Sequence, residues 1–69
     1  MTKEQLTDYI QNVVIGIHEN IREIRDRKGW ADPKEMNYIE TKLLTYNEIL
    51  QLLKMTAKDM ELEEGELGL

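Results

Sequence analysis

The sequence predicts an all-α fold, a two-helix antiparallel hairpin, and three observations carry that reading. Two long stretches repeat apolar side chains at spacings of three and four, the signature of helical faces. A Gly-Trp-Ala-Asp-Pro segment at 29–33 separates them. No second extended segment exists with which a strand would pair.

The first helix opens at a capping box, in which Thr2 and Gln5 can each satisfy the other's backbone N–H. Leu6, Ile10, Val13, Ile17, Ile21 and Ile24 then define one face, broadened by Tyr9 and Val14. Arg22, Arg25, Arg27 and Lys28 crowd the last turns, where cations suit the negative end of the helix dipole. Gly29 supplies a C-terminal stop. Helix 1 is thus expected over about 3–28, roughly 39 Å at 1.5 Å per residue. Asn12 to Ile17 is β-branched and contains Gly16, a composition that suits strands, but it is embedded in the helical pattern. Gly16 costs about 1 kcal/mol in a helix interior and is a candidate bend.

The turn is expected at 29–32. Asp32 is a good N-cap, Pro33 fits the first helical position, and Glu35 completes an Asp-x-x-Glu box. Trp30 is expected to cover the loop end of the core. Helix 2, about 33–60, carries Met36, Ile39, Leu43, Tyr46, Leu50, Leu53, Ala57 and Met60 in an unbroken heptad seam. Leu44, Ile49 and Leu52 form a second apolar edge. The short connection makes the helices antiparallel neighbours, with opposing residue numbers summing to about 61 and Gly16 facing Tyr46.

Composition narrows the function classes. At 69 residues the chain is one domain, near the lower limit for folding on a single core. Such chains usually need a disulfide, a metal or a partner subunit. There is no cysteine and one histidine, so disulfides and the usual zinc sites are excluded and association is the support left. The absence of cysteine suits a reducing, cytoplasmic location. The longest apolar run, Val13 to Ile17, falls far short of a membrane span. Residues 1–58 hold nine acids and nine bases, so the whole net charge of −5 lies in the acids Asp59, Glu61, Glu63, Glu64 and Glu66. Nucleic acid is not an expected partner, since its proteins need a basic surface. The 61–69 segment, with Gly65 and Gly68, is expected to be an acidic, flexible tail.

No set of residues announces chemistry. His18-Glu19 begins like a metalloprotease motif, but Arg22 stands where the second histidine is needed. Glu19 and Glu23 lie beside Arg22 and Arg25, an ion-pair face rather than a hydrolytic carboxylate pair. Segment 22–28 has a net charge of only +2, too little for a strong hold on nucleic-acid backbone.

The turn residues Gly29, Trp30, Asp32 and Pro33 within a helical hairpin resemble those of the small sporulation-regulator aspartyl-phosphate phosphatases, which act on phosphorylated response regulators. That family carries Ser-Gln-Glu-Leu-Asp early in its second helix, and the Asp is needed for dephosphorylation. The corresponding stretch here reads Ile39-Glu40-Thr41-Lys42-Leu43, with no Ser and, at the critical place, no Asp. The resemblance covers about half the chain and implies the hairpin, while the residue that carries the activity is missing.

The expected assembly is a homodimer forming an antiparallel four-helix bundle, with Val14, Ile21, Leu44, Ile49 and Leu52 at the interface. Burying each aliphatic side chain contributes about 1.5–3 kcal/mol, so five per subunit outweigh the roughly 3–5 kcal/mol of a core this small. The expected function is non-catalytic: a regulator, adaptor or inhibitor acting by protein–protein interaction, with no metal or cofactor. Trp30 with Arg25 and Arg27 is the expected partner anchor, rimmed by Glu40 and Glu48. A phosphatase-like modulator of response regulators and an assembly element of a larger complex are the alternatives.

Overall fold

The computed structural model describes residues 1–69. It contains two α-helices, α1 (Lys3–Arg27) and α2 (Pro33–Asp59), and a short 3₁₀ turn at Gly65–Leu67. The helices fold back on each other as a hairpin with extents of 45 × 21 × 17 Å. There is no strand: the β-branched stretch 12–17 is helical, its local preference overridden by the apolar period in which it sits.

The caps explain where each helix starts. Thr2 Oγ1 accepts from the Gln5 N–H at 3.1 Å, and Gln5 Oε1 accepts from the Thr2 N–H at 2.9 Å, so the first box closes fully. At α2, Asp32 Oδ1 accepts from the Glu35 N–H at 2.9 Å with Pro33 in the first turn. Only this half of the expected second box forms, and Glu35 is among the residues that line a cleft near the turn.

The helix ends reverse the expected use of glycine. Gly29 is not in the left-handed region, and α1 closes through tight bonds from Lys28 N–H to Arg25 C=O and from Trp30 N–H to Arg27 C=O. The left-handed residue lies at the other helix end, where Glu61 has φ 58°. Around it, Leu62 N–H donates to Ala57 C=O at 2.8 Å and Glu61 N–H to Lys58 C=O at 3.1 Å. This is a Schellman motif built on a glutamate.

The core is small: Val14, Ile21, Ile39, Leu50 and Ala57. The α2 seam holds its predicted line, with Met36, Leu43, Tyr46 and Leu53 half-buried and only Met60 exposed. The α1 line differs. Val14 is 1% exposed and Val13 41%, and the buried row runs Ile10, Val14, Ile17, Ile21, Ile24, with Leu6 outside it. Val14 and Ile21 are therefore interior residues of one chain and are not available to a second copy, which corrects their assignment to an oligomer interface.

The tail supplies the reason. Residues 61–69, expected to be flexible, turn back and pack on α1. Gln11 Nε2 donates to the Glu66 carbonyl, and Leu67 and Leu69 are half-buried. Leu69 N–H donates to Glu64 C=O at 2.9 Å across Gly68 at φ 82°, a second Schellman-like closure. A Cβ on Gly68 would lie 3.7 Å from Val14 Cγ1. Leucines and a glycine turn thus outweigh the acids beside them, which all point to solvent.

Gly16 does not receive Tyr46. Nothing lies within 4 Å of where its Cβ would be, and the Tyr46 hydroxyl meets Asn20 Nδ2 at 3.3 Å. Helical side chains lean toward their own N-terminus, so Tyr46 leans toward the turn and reaches one turn beyond Gly16.

Candidate functional site

At roughly 100° per residue, each helix presents two flanks beside the seam. The tail covers one, on the Gln11 and Val14 side of α1. The opposite flank carries Leu6, Tyr9 and Val13 from α1 and Tyr38, Lys42, Tyr46 and Ile49 from α2. The Asn20–Tyr46 hydrogen bond ties its two halves together. Of these, Leu6, Tyr9, Val13, Tyr38 and Ile49 are exposed apolar or aromatic side chains.

Near the turn, this flank opens into a cleft lined by Ile24, Arg27, Glu35, Tyr38, Ile39 and Lys42. Ile39 is buried and Ile24 half-buried, giving an apolar floor under a charged rim. Lys42 Nζ lies 5.2 Å from the Tyr38 ring centroid, a cation–π pair on successive turns. The cleft volume is about 220 Å³, below the ~300 Å³ at which small-molecule sites begin. Its size suits one or two inserted side chains. Arg27 and Lys42 outnumber Glu35 on the rim, so an apolar group flanked by carboxylates is favoured at the Arg27 and Lys42 side.

The sequence-predicted partner residues do not gather. Trp30 is 85% exposed at the turn and does not cover the core end, contrary to expectation. Arg25 and Arg27 are both exposed, but two residues apart they diverge by about 200°. Arg27 alone reaches the cleft. Glu40 and Glu48 are exposed on α2, eight residues or about 12 Å apart, and neither lines the cleft. Tyr38 and Lys42 were the residues missed; their i, i+4 spacing beside the turn was the available signal.

The proposed α2 interface edge also divides. Ile49 lies on the bare flank, while Leu44 and Leu52 lie on the far face with Met55 and with Glu48 between them, all exposed. His18 is exposed, and no group of three or more His, Cys, Asp or Glu side chains comes together. No helix is long and apolar enough to cross a membrane.

The class this geometry defines is a helical hairpin strapped on one flank and bare on the other. Compared with known proteins, the chain matches no family model, no curated protein and no solved structure.

Proposed function

We propose that this is a small, non-catalytic cytoplasmic protein that acts by protein–protein interaction, and that it does so as a homodimer in a four-helix bundle. The observation that carries the reading is the imbalance of apolar surface. Thirteen large apolar or aromatic side chains are exposed while five residues are buried. Contiguous exposed apolar surface marks interaction sites, and a core of this size stabilises a fold only marginally. A second copy belongs on the bare flank, against Leu6, Tyr9, Val13 and Ile49. A partner belongs on the far face of α2, where Leu44, Leu52 and Met55 recur at helix-in-groove spacing with Glu48 among them.

Sedimentation equilibrium at micromolar concentration should give twice the 8.2 kDa chain mass. A cooperatively folded monomer overturns the dimer. Capture of a host protein should be lost in Leu52→Lys while the dimer persists; equal capture by both chains overturns the far-face assignment. A second reading, modulation of response regulators, is favoured by one observation: Glu40 presents an exposed carboxylate about two turns into α2. Dephosphorylation of a phosphorylated response regulator, abolished by Glu40→Gln, would establish it over the first.

A further inference from the structure

The dimer reading leaves open how the two hairpins lie against each other, and the inference that follows rests on it. Charge and shape along the long axis distinguish the arrangements. The tail end holds five acids and no base over 59–69, whereas 22–28 near the turn has a net charge of +2. The molecule is 45 Å long, several times the ~8 Å screening length at physiological salt. The two ends therefore act as separate charged surfaces. Parallel hairpins would set two acidic ends side by side; antiparallel hairpins set each acidic end beside the other copy's cations.

The shapes match as the charges do. Leu62 is 45% exposed, placed by the Glu61 turn between the exposed carboxylates of Glu61, Glu63 and Glu64. The cleft near the other end has an isoleucine floor beneath Arg27, Lys42 and Glu35, a rim of two cations and one carboxylate. One is an apolar knob with an acidic collar, the other an apolar socket whose rim is net positive, Arg27 and Lys42 outnumbering Glu35.

The levels agree too. Leu62 is hydrogen-bonded to the last turn of α2, beside the first turns of α1, and the cleft lies at the level of Ile24. A two-fold axis relating knob to socket crosses α1 midway, near Val13 and Gly16. Val13 is exposed there, and Gly16 has open space that nothing in its own chain uses. A glycine on that face lets a second helix approach closely.

We propose that two copies pair antiparallel across the bare flank, each inserting Leu62 with its flanking glutamates into the Ile24–Arg27–Tyr38–Lys42 cleft of the other. The partner is thus a second copy of this chain, recognised by an acidic-apolar segment that the cleft complements.

The absence of cysteine makes a cross-linking test clean. Tyr38→Cys with Leu62→Cys should yield a covalent dimer under mild oxidation, while each single variant yields little. The pair cannot bridge within one chain, since about 31 Å of α2 separates position 38 from the helix end that carries Leu62. As a second measurement, Arg27→Glu with Lys42→Glu should weaken the dimer at least about tenfold, and Glu61→Lys with Glu63→Lys in the same chain should restore it. Rapid cross-linking of Leu62→Cys alone, or charge reversal without effect on a dimer that still forms, overturns the antiparallel seating and leaves the dimer standing. A wild-type chain that sediments as a folded monomer overturns both.

Discussion

Val13 and Val14 are neighbours of the same chemistry on the same helix, yet one is 41% exposed and the other 1%. The difference comes from nine residues at the far end of the chain. On the Val13 side α2 adds the Asn20–Tyr46 hydrogen bond but leaves Val13 exposed; on the Val14 side the returning tail sets Gly68 against Val14, with Leu67 and Leu69 half-buried. A few apolar side chains on a strap thus decide which half of an amphipathic helix becomes interior. The other half remains as surface with no partner in its own chain.

The largest expected effect breaks this comparison directly. Val14→Asp would bury an unpaired carboxylate, a cost of several kcal/mol, comparable with the ~3–5 kcal/mol that so small a core supplies. Far-UV circular dichroism should show the fold lost. Val13→Asp, at an exposed position, should keep the helical hairpin but abolish the proposed dimer, read by sedimentation, losing only the stability that association supplies. Equal loss of helix in both variants would show that the two flanks are not different.

Removing the strap is the next test. Deleting residues 62–69 uncovers Val14 and discards the burial of Leu67 and Leu69, an expected cost of about 2 kcal/mol. At about 4–8 °C per kcal/mol for a domain of this size, the melting temperature should fall by roughly 10 °C. An unchanged melting temperature would mean that the acidic segment is only a solubilising fray.

That fray was the sequence expectation, and the packed return of 61–69 departs from it in a way that shows what was legible. Helix positions, the capping box at Thr2 and Gln5, the Asp32–Pro33 start and the α2 seam follow from local rules acting within a few residues. The tail's place does not, because Glu66 and Gly68 meet Gln11 and Val14 across more than fifty residues of sequence. The α1 seam failed for the same reason: Leu6-Ile10-Val13 and Ile10-Val14-Ile17 are equally periodic, and only the distant strap separates them. The cleft was half visible. Arg27 was singled out, but its true neighbours, Tyr38 and Lys42, come from the facing helix, and Trp30 stands apart in solvent.

Gly16 sharpens the comparison from the bare side. With nothing within 4 Å of its missing Cβ, Gly16→Ala should strengthen α1 by about 1 kcal/mol in a monomeric background such as Val13→Asp. In the wild-type background the same change should weaken the proposed association, because in that dimer the methyl group would stand where the second helix passes. A gain in both backgrounds would mean that no helix crosses there.

The smallest effect concerns how the strap is launched. Glu61 holds the left-handed position that begins the return toward α1, at φ 58°, while Gly29 ends α1 without adopting it. A non-glycine residue there costs about 1–2 kcal/mol, part of which the two Schellman hydrogen bonds to Ala57 and Lys58 offset. Glu61→Gly should therefore stabilise the chain by up to about 1 kcal/mol. Glu61→Asn should do so less, since asparagine tolerates the conformation better than glutamate but not freely. Gly29→Ala, where φ is ordinary, should gain about 0.4–1 kcal/mol by restricting the unfolded chain. In the monomeric Val13→Asp background, where no dimer contact is at stake, Glu61→Ala controls for the lost charge: it removes the carboxylate and keeps the strain, so it should remain near its parent. Thermal melts of the four variants in that background then give an order in which Glu61→Gly exceeds Glu61→Asn and Glu61→Ala gains least. If Glu61→Ala gains as much as Glu61→Gly, charge relief and not backbone strain governs the turn, and the strap is held back by its acids.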